Sequence, residues 1–268
     1  AQIIKQRYLA RELIIACEKL KQAAKDVTVD VAEIVDKFNG ELDRINAIVA
    51  GEGGMKHIRG IVAGALRAYE VRRENREKGL FTGIPTGFTE LDEITGGWQG
   101  CQFVVIGARP SMGKTAVALQ MVKTAARGGI PACMYSLEMS DVSLANRLLL
   151  SECDISVERF RNGELTDNEL KKMHEAAGRL EKLPIYIDDK PSVTINYIRN
   201  HARLMHKRGK CGLIVVDYLQ LTGSQVENNR NREQEVSNIS RTAKIIAKEL
   251  NVPFVMLSQL NREAEKRV

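Results

Sequence analysis

The sequence predicts an α/β protein in which helices cover both faces of a mostly parallel sheet, preceded by an all-α segment. After Gly79, short apolar runs bounded by turn residues alternate with amphipathic helices. Short continuous apolar runs are typical of strands that are buried on both faces. Alternation of strands with helices favours parallel pairing through helical crossovers. Residues 1–79 differ, because they contain no proline and carry apolar residues at helical spacing.

Five strands and five intervening helices are predicted in the α/β part. The strands are Gln102–Gly107, Ala132–Ser136, Ile185–Asp188, Leu213–Asp217 and Phe254–Ser258, and the helices span 114–127, 141–151, 167–182, 193–208 and 233–250. The polar stretch 222–232 is predicted to be a loop.

Three domains or segments are predicted, with boundaries at residues 54 and 82. Residues 1–54 carry two helical apolar stripes, one from Leu9 to Ala23 and one from Ile34 to Ile45, which indicate a helical hairpin. Residues 55–82 contain a third helix with a polar second half. Residues 83–268 form the α/β part.

Composition narrows the functional classes only slightly. The net charge of +6 is compatible with a polyanion-binding protein, but ordinary enzymes share it. The five cysteines form no CxxC pair, so a zinc site or disulfide framework is not expected. No signal peptide or long apolar run is present, so we expect a cytoplasmic protein without a membrane span. The chain begins inside a helical pattern and stops inside a polar run, so we expect both ends to be cuts or limits of order and not natural termini.

The segment from Ala108 to Thr115 has the context of a P-loop, because it follows a predicted strand and opens a predicted helix. Backbone N–H groups and a helix N-terminus bind phosphate oxygens there. Lys114 would place a cation on the β and γ phosphates, and Thr115 would offer a hydroxyl to Mg²⁺. The usual first glycine of the motif is Ala108 here. The predicted nucleotide-binding residues are Ala108, Arg109, Pro110, Ser111, Met112, Gly113, Lys114, Thr115 and Ala116.

Three further polar residues follow predicted strands. Asp217 ends a strand of four apolar residues, where a carboxylate can hold Mg²⁺. Glu138 follows the second strand, which we expect beside the P-loop strand, and could activate water; a solvated helix cap is an equal alternative. Gln259 follows the last strand and could sense the γ phosphate; the spacing leaves a turn residue open as the alternative.

Together these segments resemble the DnaB family of replicative helicases, which have a RecA-like P-loop fold. The matching stretches are GIPTGFTELDEITGGW, GARPSMGKT, YSLEMS, PIYIDD, LIVVDYLQL, EVSNISRTAKIIAKELNVPF and LSQLNR. The resemblance implies Glu138 as the catalytic glutamate, Asp217 as the magnesium-binding aspartate and Gln259 as the γ-phosphate sensor. It also implies that residues 1–54 end an N-terminal helical domain and that 55–82 contain a linker helix.

The resemblance implies an ATP- and Mg²⁺-dependent homo-hexamer that moves 5′ to 3′ on single-stranded DNA, with primase and a helicase loader as partners and association with the nucleoid. In the family, a DNA-contacting loop, further strands and an arginine finger follow the segment that matches this chain. Two alternatives stay open. One is a RecA-type recombinase or repair ATPase, and the other is a non-catalytic fragment that binds a loader or primase through residues 1–79. A small-molecule P-loop kinase is disfavoured, because no lid signature is present.

Overall fold

The computed structural model describes residues 2–25, 31–50, 57–191, 193–217 and 229–259. The chain divides into two compact units, Ala1–Tyr69 and Glu70–Val268. The domain boundaries predicted at residues 54 and 82 stay predictions. The predicted chain break at 51–54 and the stretch 222–228 lie outside the described residues.

Three helices begin the chain: α1 (Gln2–Ala23), α2 (Val31–Ala50) and α3 (Ile58–Glu77). The helices α1 and α2 pack together and bury Ala16, Ile34 and Ile45. An ion pair of 3.3 Å between Lys19 and Glu41 also joins these two helices. Both predicted apolar stripes therefore lie on helices. Every residue of α3 is at least partly exposed.

The α/β part contains five strands and seven helices among the described residues. The strands are β1 (Phe103–Ala108), β2 (Ala132–Ser136), β3 (Ile185–Asp188), β4 (Leu213–Asp217) and β5 (Phe254–Gln259). The helices are α4 (Thr89–Thr95), α5 (Lys114–Arg127), α6 (Asp141–Leu150), α7 (Val157–Asn162), α8 (Asp167–Leu180), α9 (Ile195–Lys207) and α10 (Asn229–Leu250).

All strand pairs in the sheet are parallel, in the order β1-β5-β4-β2-β3. The predicted parallel sheet is confirmed, but the expected neighbourhood of β1 and β2 is wrong. The strands β5 and β4 lie between them. The chain forms β2 and β3 at the far side of the sheet first, and the later strands β4 and β5 then occupy the positions between β1 and β2. The register pairs Ala108 with Gln259 and Ser136 with Asp217. The ends of these four strands therefore meet at one edge of the sheet, and three of them carry a polar residue there: Ser136, Asp217 and Gln259.

Helices cover both faces of the sheet, as predicted. Alternate strand residues point to opposite faces. On one face Ile214, Val216 and Phe254 pack with the buried sides of α9 and α10. On the other face Leu213 and Val215 pack with α5 and α6. Both faces of β4 are fully buried, which explains why its sequence is a continuous apolar run.

Three elements differ from the sequence prediction. The helices α4 and α7 were not predicted, because seven and six residues are too few to show a helical period. The helix α10 begins at Asn229, inside the stretch predicted to be a loop. Polar residues favour a loop locally, but this stretch continues directly into the amphipathic helix that follows. Among the described residues, no helix combines the length and apolar character that crossing a membrane requires.

Candidate nucleotide-binding site

The loop between β1 and α5 has the backbone geometry that a phosphate-binding turn needs. Gly113 precedes α5 with φ +83°, a left-handed conformation that glycine adopts at little cost. A Cβ atom at Gly113 would meet no other atom within 4 Å, so conformation and not crowding requires glycine here. Ser111 also has a positive φ of 63°. Because Gly113 has no side chain to act as a cap, the first N–H groups of α5 can receive an anion.

Lys114 and Thr115 connect this loop to β4. The Thr115 hydroxyl donates to Asp217 Oδ2 over 2.6 Å. Lys114 Nζ lies 3.1 Å from Asp217 Oδ1 and 3.5 Å from Glu138 Oε2. Loop, helix and two strand ends thus bring one cation, one hydroxyl and two carboxylates together. These four residues were predicted separately from the sequence, and the structure places them in one cluster.

Asp217 has the environment of a carboxylate that serves a bound cation. Its side chain is fully buried, and Oδ1 accepts no hydrogen bond from any residue that the structure describes. Lys114 Nζ provides a nearby positive charge instead. A buried carboxylate is costly unless it is paired, so Lys114 compensates Asp217 here, and a ligand cation could supply further positive charge. The Thr115 hydroxyl and the Asp217 carboxylate are oxygen ligands of the type that Mg²⁺ prefers.

Glu138 belongs to a tight turn, Ser136–Ser140, between β2 and α6. The Leu137 N–H donates to Asp217 O over 2.9 Å, which fixes the turn against β4. The Ser136 hydroxyl donates to Met139 O over 2.8 Å. The Glu138 side chain remains 59% exposed, although it faces Lys114. Because Glu138 lines a cavity beside the P-loop and also reaches solvent, its carboxylate could orient a water molecule there, which is part of the role predicted for it.

Lys114, Thr115 and Glu138 line this cavity of about 460 Å³, a size in the range of small-molecule sites, whereas the buried Asp217 does not line it. Its lining residues are Ala108, Arg109, Pro110, Ser111, Gly113, Lys114, Thr115, Glu138, Met139, Arg147 and Gln259. Gln259 lies beside Ala108 through the β1–β5 register. Of the predicted nucleotide-binding residues, Met112 and Ala116 do not line this cavity; Met112 is 71% exposed. Residues 260–262 of the predicted LSQLNR segment lie outside the described residues.

Arg147 is a cavity residue that sequence reasoning missed. It lies in the second turn of α6, and its long cationic side chain reaches the cavity wall. The signal available in the sequence was its position nine residues after Glu138, on a helix that starts at the same sheet edge. An arginine there can bind phosphate oxygens in a bidentate manner.

The fold and the site define the class of this protein. A parallel sheet, a glycine-containing loop before a helix, and a threonine bonded to a strand-end aspartate describe a P-loop nucleotide-binding domain. Across the described ranges, no group of three or more His, Cys, Asp and Glu side chains could hold a metal ion without a further ligand.

Comparison with known proteins gives the family. A sequence profile described as DnaB-like helicase C terminal domain matches residues 83–268. The chain is 37% identical over 268 residues to the replicative DNA helicase DnaB of Geobacillus stearothermophilus. It is 35% identical over 269 residues to the replicative DNA helicase DnaC of Bacillus subtilis strain 168. Each alignment covers 100% of this chain and 58% of the relative. The chain therefore belongs to the DnaB-like replicative helicase family.

Solved structures agree with this assignment and confirm the RecA-like fold prediction. The structure titled "ATPase Domain of G40P" matches 80% of this chain and 75% of its own, with a TM-score of 0.71 and 33% identity. A DnaB-like replicative helicase, described with its interactions with primase, matches 99% of this chain and 61% of its own. Its TM-score is 0.67 and its identity is 30%. This chain spans a little over half the length of the two sequence relatives.

Proposed function

We propose that this chain is the motor part of a hexameric replicative DNA helicase that couples ATP hydrolysis to movement along single-stranded DNA. The observation that carries the proposal is the convergence of Lys114, Thr115, Asp217 and Glu138 at the P-loop. Family membership supports the choice of helicase over other ATPases with this fold, including the RecA-type recombinase alternative.

ATP would bind with its phosphates against the loop 108–113 and the N-terminus of α5. Backbone N–H groups and Lys114 would stabilise the charge that develops on the phosphates during hydrolysis. The Lys114 ammonium lies near the carboxylates of Asp217 and Glu138, which hold it at the mouth of the P-loop where the phosphates would bind. Gln259 would contact the γ phosphate by hydrogen bonding and transmit its loss to the segment that follows β5.

Thr115 and Asp217 are the residues that would hold Mg²⁺, as their oxygen atoms and burial suggest. When bound, Mg²⁺ supplies positive charge to the phosphate oxygens. Glu138 would orient the attacking water and accept its proton, since its carboxylate is exposed to solvent at the cavity.

We propose the DNA and protein partners from the membership of this chain in the DnaB-like family. Contact with single-stranded DNA would be mainly electrostatic and independent of base sequence, and therefore sensitive to salt. A neighbouring subunit would supply an arginine to the ATP site, which would make turnover depend on hexamer assembly. Primase is a proposed partner, because a solved DnaB-like relative is described with its interactions with primase. A helicase loader is the further partner that we propose.

The test is ATP turnover and strand displacement by the full-length protein, with and without single-stranded DNA. We expect DNA to stimulate turnover and a forked duplex to be unwound. Electron microscopy of the same sample should show closed rings. Filaments instead of rings would favour a recombinase, and absence of turnover in the full-length protein would favour a non-catalytic module.

A further inference from the structure

The turn that carries Glu138 is held at its far end by a carboxylate from the loop that follows β3. The N–H of Asp141, the first residue of α6, donates to Asp189 Oδ2 over 3.1 Å. The two residues are 48 positions apart. The first N–H groups of a helix have no partner inside the helix, so an outside acceptor stabilises them. Ser140 already caps α6 by accepting the Ser143 N–H, so the helix does not need Asp189 in order to begin. The bond to Asp189 instead fixes the start of α6 relative to the loop after β3.

The loop that carries Asp189 is itself anchored to α9. The Tyr197 hydroxyl donates to Asp188 Oδ2 over 2.8 Å. The Lys190 N–H donates to Asp188 Oδ1 over 3.2 Å, and Lys190 Nζ donates to the Tyr197 hydroxyl over 2.9 Å. Lys190 Nζ also lies 4.8 Å from the centre of the Tyr197 ring. Asp188 thus fixes the backbone that positions Asp189.

The strand end before the turn joins the same network. The buried Tyr135 hydroxyl lies 3.2 Å from His201 Nδ1, and that nitrogen lies 3.7 Å from Asp188 Oδ2. The His201 ring stacks on Tyr197 with ring centres 5.8 Å apart. Burial is the main cause that raises the pKa of Tyr135 above its ordinary value, so its hydroxyl stays protonated. Both ends of the Glu138 turn are therefore connected to the Asp188–Asp189 pair.

We propose that Asp188 and Asp189 are positioning residues for Glu138. Asp189 fixes the α6 end of the turn, and Asp188 holds Asp189 against α9. The inference rests on the proposed function, because it requires that Glu138 acts on the attacking water. A base must lie within hydrogen-bond reach of the proton that it removes, and a displacement of about 1 Å can lower the rate on the order of a hundredfold.

The first experiment separates positioning from nucleotide binding. In the full-length protein, Asp189→Ala should lower kcat for ATP hydrolysis about tenfold, while KM and the Kd for a fluorescent ATP analogue change less than about twofold. Asp189→Asn should lose less, because its amide oxygen still accepts the Asp141 N–H. The matched control is Asp167→Ala, which removes an aspartate from the first turn of α8 and should leave kcat unchanged.

The second experiment is a double-mutant cycle under single-turnover conditions. Glu138→Gln should lower the rate strongly, and adding Asp189→Ala should then lower it no further, since both changes act through one carboxylate. Equal losses in both backgrounds would mean a merely structural role and would overturn the inference, as would an unchanged kcat in Asp189→Ala. If Glu138→Gln leaves turnover intact, the role of Glu138 itself is wrong, and the inference fails with it. Should Asp189→Ala lower the melting temperature by more than about 5 °C, Asp189→Leu replaces it in the cycle, because leucine is close to aspartate in size but accepts no hydrogen bond.

Discussion

The Thr115 hydroxyl donates a hydrogen bond of 2.6 Å to Asp217, 102 residues further along the chain. Both groups are buried, and Lys114 lies 3.1 Å from the other oxygen of the same carboxylate. This contact joins the helix that follows the P-loop to the central strand β4. It is the structural basis for treating the P-loop motif and the aspartate at the end of β4 as one site.

Thr115→Val should raise the Mg²⁺ concentration that gives half-maximal ATP turnover about tenfold. Valine keeps the shape of threonine but removes the hydroxyl that would serve as a ligand. The measurement is steady-state turnover across a Mg²⁺ titration at fixed ATP. Thr115→Ser is the matched control, because it keeps the hydroxyl and should keep a nearly normal Mg²⁺ dependence. An unchanged Mg²⁺ requirement in Thr115→Val would remove Thr115 from the metal site.

Arg147→Ala should weaken binding of ATP about tenfold, which corresponds to about 1.4 kcal/mol, because a charge-assisted contact to phosphate is lost. Arg147→Lys should restore part of the affinity, since lysine keeps the charge but not the planar guanidinium group. Equilibrium titration with a fluorescent ATP analogue measures this effect. Arg161→Ala removes an arginine from α7 and serves as the control. Equal affinities for Arg147→Ala and the control would show that Arg147 lines the cavity without binding nucleotide.

Glu152→Gln should lower the free energy of unfolding by about 3 kcal/mol at neutral pH. Lys123 and Glu152 are buried side chains that lie 3.2 Å apart, and Arg127 also pairs with Glu152. The glutamine would leave the Lys123 charge buried without a carboxylate. Chemical denaturation followed by circular dichroism measures the difference.

The ion pair between Lys123 and Glu152 also makes the free energy of unfolding depend on pH. Burial raises the pKa of Glu152, but hydrogen bonds from Lys123 and Arg127 outweigh it, so the pKa lies below its ordinary value of 4.5. A lowered carboxyl pKa stabilises the fold above the ordinary value, and this contribution is lost as the pH falls through the lowered value. The stability difference between wild type and Glu152→Gln should therefore shrink below about pH 4.5. A stability difference between the two proteins that stays constant down to about pH 3 would contradict a lowered pKa of Glu152.

Most of the sheet could be predicted from the sequence because each strand is a short apolar run with a clear end. Leu213–Asp217 was predicted with its exact bounds, since both of its faces are buried and its last residue is charged. The order of the strands could not be predicted, because a local pattern does not show which strand lies beside which. The wrong expectation that β1 and β2 are neighbours follows from this limit.

The candidate site was predictable where a residue follows a strand or belongs to the P-loop motif. Arg147 was missed because it lies inside a helix, and only the direction of α6 brings it to the cavity. The contact between Asp189 and the Asp141 N–H joins residues from two separate loops. Such contacts depend on the three-dimensional arrangement of β2 and β3, and no spacing in the sequence indicates them.

The most direct test of the central claim is ATP hydrolysis by the full-length protein carrying Lys114→Ala, beside the control Lys172→Ala on α8. The account predicts that Lys114→Ala lowers DNA-stimulated turnover at least about a hundredfold, because the cation that stabilises the phosphates is lost. Lys172→Ala should behave as wild type. Turnover in Lys114→Ala that equals the control would contradict the account, since the loop between β1 and α5 would then not be the ATP site.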